Sequence, residues 1–490
     1  MLRRVVARRW VSILAVVAVL LPVAALADQS WTDAPDGNFY SDALEWATVN
    51  GMTKGCDGGT NFCPDRGATR AESITFAKRY DDLVVQPALD DIRADIAATP
   101  AGPQGPAGAD GADGAVGPQG PGGVDAESPA RVVWVADDGT GDFLLLSTAL
   151  ASISDASASN PYVVRIAPGV YTETATVALK TYVDVEGSGQ GVTTITCECG
   201  SGFFDASAAA VSAGNIVAEI RHLTINNTGG DTYSTGVWTE DVVDGSVSMT
   251  NVTATATGTG TDNYGVFNYN SSPSMTNVTA TASGGTYNYG VYNNSSSPSM
   301  ADATATATGG NDSYGVVNDA SSSPTMMNVI ASATGGTNSN YGVYNYSSSP
   351  SMTNVTASAT GGTDNRGVYN NWSSSPSMMN VIASATGGTN SYGVYNNSSS
   401  SPSMMNVTAS ATGGTSNVGV QNYLSSSPTI RNSSITGTTA SISNAGTTPS
   451  ADVAYTMLEG GSVSGTGFTC LGAYDENLAL LNASCVIAVP

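Results

Sequence analysis

Short alternating runs of apolar and polar residues fill the second half of the chain. Val355, Ala357 and Ala359 alternate with polar neighbours, which is the period-two pattern of a half-buried strand. Residues 342–344 read as a second short strand, and residues 351–352 begin a third segment after a proline. A Gly-Gly pair and a serine run supply turns between these segments. The unit shows no helical apolar spacing, so the pattern predicts three short strands per unit.

This unit recurs at a nearly constant interval. The repeated prolines are Pro273, Pro298, Pro324, Pro350, Pro376, Pro402 and Pro428; every step is 26 residues except the first, which is 25. A fixed period of this length indicates stacked units that bury each other's apolar edges. We therefore predict a mainly β protein, a right-handed parallel β-helix of about 26 residues per coil. Identical coils present a uniform surface, which argues against a single catalytic spot.

Stacking places like residues on like. One column, predicted to line the interior, contains Met275, Met300, Met326, Met352, Met378 and Met404. A second, predicted at a bend with each amide bonding the next, contains Asn277, Asn328, Asn354, Asn380 and Asn406, with Asp302 in one coil. The favoured interpretation is that both columns hold the coils in register. The Asn-Val-Thr sites also match a glycosylation acceptor.

An aromatic column follows the repeated Gly-Val. Its members are Trp238, Phe267, Tyr292, Tyr344, Tyr369 and Tyr395, with Val317 in one coil. If the valine points inward, this column points outward and could stack against sugar rings. The alternative is self-stacking that stabilises the sheet. The facing stays open here, because a tyrosine also precedes the glycine in most copies.

The first 27 residues read as a secretory signal. Four arginines lie near the start, residues 11–23 are apolar, and small residues end the segment at Ala27. An uncleaved anchor is the alternative, and Arg8 with Arg9 resembles a twin-arginine export signal. We predict a secreted chain associated with the cell surface. No other run is apolar enough to span a membrane.

Charge and cysteine usage agree with an exterior location. The chain has 40 acidic and 16 basic residues, which disfavours nucleic acid as a partner. Six cysteines fall into three local pairs, read as disulfides in an exported chain: Cys56 with Cys63, Cys197 with Cys199, and Cys470 with Cys485. The Cys197–Cys199 spacing strains a bridge. A metal site is the alternative, but the chain has one histidine, His222.

Residues 28–80 form a separate module. Its motifs are Phe-Tyr-Ser-Asp, Trp-Ala, Gly-Met-Thr-Lys-Gly and Thr-Arg-Ala-Glu, and they resemble an S-layer homology motif. The resemblance implies binding of a cell-wall polysaccharide, with Arg70 meeting an acidic substituent and Asp42, Trp46 and Glu72 shaping the pocket. The alternative is that Glu72 helps to cap a helix and Trp46 fills a small core. The family uses three such motifs, and this chain has one.

A stalk follows this module. In residues 81–100, Val85, Leu89, Ile92 and Ile96 form a short coiled-coil seam. In residues 101–123, glycine recurs at every third position with proline, which is typical of collagen. Three chains wound here would bring three wall-binding motifs together, giving a homotrimer. A plain extended linker is the alternative.

Residues 131–196 are not repeats and form the start and cap of the β-helix. They contain Asp-Gly-Thr-Gly-Asp-Phe, an apolar segment, Ile-Ala-Pro-Gly-Val-Tyr and Gly-Ser-Gly. This segment resembles the start of pectin methylesterases and other pectin-lyase-like proteins, which implies a capping helix over the first coil. The repeats, residues 197–435, resemble those of pectin-lyase-like surface β-helices. Residues 436–490 are assigned to the last coils and cap.

The segments that carry the esterase family's working residues are not found in this sequence. Weak catalytic candidates are His222, Glu240, Asp241 and Asp244, close together in sequence. No metal site or cofactor is predicted, although calcium binding at the loop of residues 137–142 stays open. The sequence therefore favours a wall-associated structural or adhesin-like protein that binds glycans or surfaces. A pectin-lyase-like esterase, lyase or hydrolase is the alternative.

Overall fold

A computed structural model describes residues 131–486. In that range the chain is mainly β and winds into a parallel β-solenoid of about 11 turns, with the spacing of about 26 residues that the prolines predicted. The signal segment, the S-layer-like module and the stalk lie outside the described residues. So do Asp42, Trp46, Arg70, Glu72, Cys56 and Cys63.

The first turns, here called the leading coils (residues 131–256), combine ten strands with short helical segments. They are β1 (Arg131–Val135), α1 (Leu146–Ser152), β2 (Tyr162–Ile166), β3 (Gly169–Glu173), β4 (Val177–Ala178), β5 (Val183–Glu186), β6 (Thr193–Cys197), a 3-10 turn (Ala206–Ala208), β7 (Ala209–Ala213), β8 (Ala218–Asn227), β9 (Tyr233–Glu240) and β10 (Val247–Ala256). The segment Leu146–Ser152 buries Leu146, Ala149 and Leu150. This helix covers the first coil, whose open edge would otherwise invite strand pairing.

The repeat coils (residues 257–435) each use three strands. The long strands are β11 (Asp262–Tyr269), β14 (Tyr287–Asn294), β17 (Asp312–Asp319), β20 (Ser339–Tyr346), β23 (Asp364–Asn371), β26 (Asn390–Asn396) and β29 (Ser416–Tyr423). The three-residue strands are β12 (Ser274–Thr276), β15 (Ser299–Ala301), β18 (Thr325–Met327), β21 (Ser351–Thr353), β24 (Ser377–Met379), β27 (Ser403–Met405) and β30 (Thr429–Arg431). Each is followed by β13 (Thr279–Ser283), β16 (Thr304–Thr308), β19 (Ile330–Thr334), β22 (Thr356–Thr360), β25 (Ile382–Thr386), β28 (Thr408–Thr412) or β31 (Ser434–Gly437).

The last turns shorten. They contain β32 (Ala440–Ala445), β33 (Ala451–Ala454), β34 (Met457–Gly460), β35 (Phe468–Leu471) and β36 (Tyr474–Asp475). In the repeat coils the two short strands of each coil belong to a 25-stranded sheet, and the long strand belongs to an 11-stranded sheet. The ten-residue strands β8 and β10 also lie in the 25-stranded sheet, and β4, β7, β9 and β32 lie in the 11-stranded sheet. Each strand pairs in parallel with its counterpart one coil away, so equivalent residues stack in columns.

The interior columns follow the predicted pattern. Met275 pairs with Met300, and the column continues through Met404, with every member at most 1% exposed. Alanines and one or two valines of each coil complete the core. Small inward residues suit a narrow interior in which coils lie about 4.8 Å apart.

The predicted asparagine column lies at the bend of the 25-stranded sheet. Every member has a positive φ, between 51° and 55°, which favours asparagine over bulkier residues. Asn354 donates its side-chain amide to Asn328 (3.0 Å), and Asn380 donates to Asn354 (3.0 Å). Asn328 donates to Asp302 (2.8 Å), where the carboxylate accepts but cannot donate onward. We call this column the bend ladder, and its predicted amide pairing is confirmed.

A second ladder, which the sequence reasoning missed, runs through the interior. Its members are Asn268, Asn293, Asn318, Asn345, Asn370, Asn396, Asn422 and Asn444, each buried. Every amide donates to the next oxygen at 2.8–2.9 Å. The Thr239 hydroxyl donates into the first member, and Asn444 donates to the Thr466 carbonyl. This interior ladder satisfies polar groups that would be costly to bury alone.

One glycine per coil lets the long strand approach the opposite wall. A Cβ at Gly265 would lie 2.6 Å from the backbone nitrogen of Thr281 and 2.6 Å from the Gly290 carbonyl oxygen. Gly265 and Val266 therefore both turn toward the interior, which interrupts the alternation along β11. The same glycine recurs in each repeat coil, so the interruption is built into the fold.

Two of the predicted disulfides lie within the described residues. Cys197 bonds Cys199, with Cα atoms 5.1 Å apart, and Cys470 bonds Cys485, with Cα atoms 5.3 Å apart. The first bridge forms despite its short spacing in sequence. The second ties together the final turns of the solenoid.

Candidate functional site

Two columns of aromatic residues line the 11-stranded sheet. One contains the predicted Trp238, Phe267, Tyr292, Tyr344, Tyr369 and Tyr395, with Val317 in one coil. The other contains Tyr264, Tyr289, Tyr314, Tyr341 and Tyr392, with Arg366 in one coil. We call the two columns together the outer aromatic face. The second column was not among the predicted site residues.

Both columns point away from the core. Val266 belongs to the central hydrophobic core, whereas Trp238, Tyr264 and Phe267 form a separate cluster. The interruption at Gly265 puts Tyr264 and Phe267 on one side of the sheet although they are three residues apart. The facing that the sequence left open is therefore outward.

Most neighbouring rings in each column stack along the solenoid axis, whereas Tyr314 and Tyr341, and likewise Tyr369 and Tyr395, meet edge-on. Tyr264 and Tyr289 have centroids 4.8 Å apart and planes 10° apart, and Tyr344 and Tyr369 have centroids 4.9 Å apart and planes 14° apart. Rings stacked at the coil spacing cover one another's faces, so the edges and hydroxyls are what reach solvent. The predicted self-stacking is thus present, and little ring face is left for sugar stacking within the columns.

Phe204 covers the first end of the face. Its ring lies edge-on against Trp238 (5.1 Å) and Phe267 (4.8 Å). The neighbouring Phe203 is 77% exposed. The leading end of the face is therefore closed, and Trp238 and Phe267 are buried there. Further along, Tyr341 and Tyr369 are also buried, whereas the other tyrosines of the two columns from Tyr289 to Tyr395 are partly exposed.

Phenol hydroxyls and carboxylates meet across this face. The Tyr292 hydroxyl donates to Asp319 Oδ2 (2.8 Å), and Asn371 Nδ2 donates to the Tyr344 hydroxyl (3.4 Å). Burial raises the pKa of Tyr292 and Tyr344 well above the ordinary value, and it raises the pKa of Tyr395 to about 12. These phenols stay protonated at neutral pH and can donate hydrogen bonds to a ligand.

Two aspartates at the edge of the face differ in their surroundings. Asp312 accepts hydrogen bonds from Asn338 Nδ2 (3.0 Å) and from the Ser339 backbone nitrogen (2.8 Å). Asp262 lies two coils earlier in the same column, linked through Tyr287, and accepts no hydrogen bond from a described residue. Burial raises the pKa of Asp262 to about 6. This carboxyl group lies beside phenol rings and is available to form a hydrogen bond with a ligand.

Arg366 takes the place of a tyrosine in the second column. Its guanidinium lies 4.2 Å from the ring centre of Tyr369 and 4.6 Å from that of Tyr395. Its Nη1 donates to the Tyr341 hydroxyl (2.7 Å), while its buried Nε has no partner in the described chain. The cation packs against tyrosine faces here, which links the two columns.

The structure does not bring the weak catalytic candidates together. His222 lies on the bend ladder, with its Nδ1 3.0 Å from Asn251 Nδ2. Glu240 accepts from Trp238 Nε1 (3.4 Å), and Asp241 accepts from Asn270 Nδ2 (2.5 Å), both at the end of β9 in the other sheet. No hydrogen bond or ion pair within residues 131–486 joins His222 to these acids or to Asp244.

A charged cluster missed by the sequence reasoning lies on the 25-stranded sheet. Arg221 pairs with Glu219, with Glu186 (3.3 Å) and with Asp184 (3.9 Å). Burial raises the pKa of Asp184. Arg165 also pairs with Glu186 (3.3 Å), so three carboxylates share two cations. The sequence feature that could have predicted this cluster is the charged residues at outward positions of Val-Asp-Val-Glu and Glu-Ile-Arg. These residues come together only when the coils stack.

No described group of three or more His, Cys, Asp or Glu side chains has a metal-binding arrangement. In the loop of residues 137–142, Asp138 accepts from the Thr140 nitrogen and hydroxyl, and Asp142 accepts from the Trp134 nitrogen. These two carboxylates therefore stabilise the conformation of the loop through hydrogen bonds. Within residues 131–486, no helix has the length and apolar character needed to cross a membrane.

The leading coils match a known family in sequence. A family model named Pectinesterase matches residues 132–256, about a quarter of the chain. The match and the fold together define a pectin-lyase-like parallel β-helix. No curated protein matches the chain.

Several solved structures share the β-helical architecture at low identity. The mannuronan C-5 epimerase AlgE4 A-module of Azotobacter vinelandii is 15% identical, covers 66% of this chain and 92% of its own, and has a TM-score of 0.41. Pectin methylesterase from carrot is 13% identical, with coverage of 71% and 90% and a TM-score of 0.26. Pectate lyase Pel9A is 12% identical, with coverage of 74% and 90% and a TM-score of 0.33. At these TM-scores the likeness carries no functional argument.

Proposed function

We propose that this chain is an exported, surface-associated protein whose solenoid binds glycans along the outer aromatic face. The observation that carries this proposal is the double column of aromatic residues, edged by Asp262, Asp312 and Asp319, which extends across the repeat coils. A core does not require outward tyrosines, whereas sugar hydroxyls need donors and acceptors beside apolar surface.

The geometry specifies how a sugar would be held. Because neighbouring rings cover one another's faces, the contacts to a glycan come from phenol hydroxyls, ring edges and carboxylates. Tyr292 and Tyr344 flank Val317, where the first column is interrupted, and Asp319 adjoins them. A polysaccharide lying along the solenoid axis would meet an equivalent set of groups every coil. Weak contacts repeated in this way give useful avidity.

A glycan array followed by calorimetry tests this function with the full secreted chain. Tyr344→Phe removes one hydroxyl and keeps the ring, and Tyr344→Ala removes both. We expect about a tenfold loss of affinity for each, because one lost hydrogen bond is about 1 kcal/mol or more. Ser384→Ala, on the 25-stranded sheet, is the matched control and should bind as the parent does. Absence of binding to every glycan tested would overturn the proposal.

The N-terminal module and stalk enter this proposal from their sequence. Asp42, Trp46, Arg70 and Glu72 would bind wall polysaccharide, and the Gly-X-Y segment would join three chains. A pull-down with purified cell wall, comparing the parent chain with Arg70→Ala, tests the first idea. Native mass measurement on residues 28–130 tests the second, and a monomer at micromolar concentration would end the trimer hypothesis.

A polysaccharide-acting enzyme is the second candidate function. It is favoured by the Pectinesterase match to residues 132–256 and by the carboxylates around Arg221 in the same segment. Incubation with a polysaccharide panel should then release reducing ends, unsaturated products or methanol. Loss of that turnover in Glu219→Gln, or in His222→Ala and Asp241→Ala, would support catalysis, and no product from any substrate would remove this candidate.

A further inference from the structure

An exposed apolar stripe runs along the bend of the 25-stranded sheet. It consists of Met327, Ile330, Met379, Ile382 and Met405, each between 42% and 50% exposed. These residues flank the bend ladder on both sides, and the coil between them carries Thr353 and Thr356 at the same positions. Large apolar side chains at such exposure form a patch that polar neighbours do not cover.

The wall around this stripe is free of charge. In each of four consecutive coils a three-residue strand is followed by a five-residue strand. Their sequences are TMM and IASAT (β18 and β19), SMT and TASAT (β21 and β22), SMM and IASAT (β24 and β25), and SMM and TASAT (β27 and β28). The whole chain carries a net charge of −24, which opposes the approach of two copies. Four consecutive coils without a carboxylate on these strands are therefore a surface on which two copies can meet.

Opposite charges bound the stripe. Asp302 lies one coil before Met327, and Arg431 lies one coil after Met405, in register with the exposed methionines of the stripe. Both side chains are exposed, and neither forms an ion pair with another residue of the range 131–486. The two ends of the stripe thus carry complementary charges.

We propose that a second copy of this chain docks on the apolar stripe in the antiparallel direction. A twofold axis between the coils of Asn354 and Asn380 places Asp302 of one copy beside Arg431 of the other, at both ends of the contact. A parallel twofold arrangement would instead bring Asp302 near Asp302 and Arg431 near Arg431. Like charges across an interface are unfavourable, so the charge pattern selects the antiparallel direction.

The stripe is also complementary to itself in size. Under the same axis, the coil with Thr353 and Thr356 faces the coil with Met379 and Ile382. The remaining isoleucine, Ile330, faces the threonine at position 408. In the column of Ile330, Thr356, Ile382 and Thr408, each large side chain therefore meets a smaller one, as close packing requires. In the neighbouring column, Met327 faces Met405, and the flexible methionine side chains can adapt to each other.

The contact area predicts a weak complex. Five half-exposed side chains present on the order of 400 Å² of apolar surface, against about 800 Å² per partner in a standard interface. The flanking serines and threonines add polar area. We therefore expect dissociation constants on the order of micromolar or weaker, and many copies acting together where the protein is concentrated.

The direction of pairing has a consequence that rests on the proposed surface display. Copies fixed through their N-terminal segments to one surface project the same way. Antiparallel pairing instead joins copies that project toward each other, so it would connect two facing surfaces. The glycan-binding face lies on the other sheet, and Tyr344→Ala should leave self-association unchanged.

Sedimentation velocity of the full secreted chain, from about 1 to 200 µM, tests the contact. The parent chain should show concentration-dependent dimers, more of them at 150 mM than at 10 mM salt, because screening relieves the net repulsion. Ile382→Glu should weaken dimerisation at least tenfold. Val243→Glu replaces an exposed apolar residue outside the stripe and should dimerise as the parent does. A parent chain that stays monomeric throughout would overturn the proposal.

Cross-linking tests the direction. Ala301 lies one coil before Met327 and in register with it, and under the proposed axis it faces Arg431 of the other copy. Ala301→Cys and Arg431→Cys chains, treated with a bismaleimide that spans about 10 Å, the distance between packed sheets, should cross-link when mixed. Each variant alone should give little dimer. Cross-linking of the single variants, with none added by mixing, would show a parallel contact and refute the antiparallel one.

Discussion

The leading coils and the repeat coils build the same two sheets from different interactions. In the leading coils the interior is filled by large aliphatic residues such as Ile195, Ile220 and Leu223, and the outer surface carries the Arg221 cluster. In the repeat coils each layer holds a methionine, one or two valines and small alanines, together with one or two buried asparagines. The leading coils rely on bulk and charge pairing, whereas the repeats rely on identical polar groups in register.

Because of this difference, different kinds of substitution should destabilise the two regions. Aliphatic packing depends on volume and tolerates exchange of similar side chains. A hydrogen-bonded column depends on every member, because one missing amide leaves two buried neighbours without a partner. We therefore expect polar substitutions in the repeat interior to cost more than the loss of charge pairs in the leading coils.

The largest expected effect is loss of an interior ladder member. Asn345 is fully buried, accepts from Asn318 and donates to Asn370. Asn345→Ala should lower the free energy of unfolding by about 3 kcal/mol, because both neighbours lose a buried hydrogen bond. Guanidinium unfolding, with hydrogen exchange to locate the weakened coils, measures this.

Asn354→Ala, in the exposed bend ladder, is the matched control. Water replaces its partners, so the expected loss is about 1 kcal/mol, chiefly from the positive φ that asparagine tolerates better. Equal losses for the two variants would contradict the view that burial makes the interior ladder the stronger one.

The next effect concerns the charged cluster. Arg221→Met should lower stability by about 2 kcal/mol, because three partly buried carboxylates lose their shared cation. Arg165→Met should cost under about 1 kcal/mol, since Arg165 is more exposed and pairs with one carboxylate. Thermal unfolding at low and high salt measures both. A larger loss for Arg165→Met would refute this ranking.

Asp262 gives a pH-dependent effect. Its folded pKa of about 6 lies above the ordinary aspartate value of 3.8, so the folded state holds this proton more tightly. Its contribution favours folding at low pH and is lost as pH rises from about 4 to about 6. Asp262→Asn should remove that loss and raise stability above pH 6 on the order of 1 kcal/mol, less than the full pKa shift implies because solvent reaches this partly exposed carboxyl group.

Asp312→Asn is the control for this titration. Asp312 uses both oxygens as acceptors, Oδ1 from Asn338 and Ser339 and Oδ2 from Asn311 Nδ2 (3.3 Å), and asparagine keeps only one of them. This variant should therefore lose stability at neutral pH. Unfolding midpoints measured from pH 4 to pH 8 compare the two. Parallel pH profiles for Asp262→Asn and the parent chain would show that Asp262 does not carry the dependence.

The smallest expected effect is a gain. Asp302→Asn gives the bend ladder the amide present in the other repeat coils, and this amide can donate to Asn277. Stability should rise by about 0.5 kcal/mol, measured at a concentration where the chain is monomeric. Met300→Leu, in the same coil, keeps the carboxylate and should show no such gain. A loss in Asp302→Asn would show that the carboxylate does more than interrupt the ladder.

The repeat period was enough to predict the solenoid and its stacked columns. Identical residues at a fixed spacing must lie over one another once coils form, which placed the methionines inside and the asparagines of the bend ladder at the bend. The facing of the aromatic column could not follow from alternation, because Gly265 interrupts it. Only the structure shows that Tyr264 and Phe267 share a side.

The missed features have physical reasons as well. Buried asparagines such as Asn345 violate the expectation that polar residues lie outside, and they are stable inside only because each coil supplies the partner. The partners of Arg221 include Glu186, 35 residues away in a coil of irregular length. Closeness in sequence instead grouped His222 with Asp241, which the structure places on different sheets.

The interior ladder gives the solenoid a polarity that limits how its length can vary. Every side-chain amide of the ladder donates to the asparagine of the following coil, so all the hydrogen bonds point in one direction. The series begins with the hydroxyl of Thr239 as donor and ends with the carbonyl of Thr466 as acceptor. If a 26-residue unit between Thr239 and Thr466 is duplicated or deleted, the interior ladder keeps all of its hydrogen bonds. The number of repeat coils can therefore change during evolution without changes in the first and last coils. Each added or removed coil changes the length of the solenoid by about 4.8 Å.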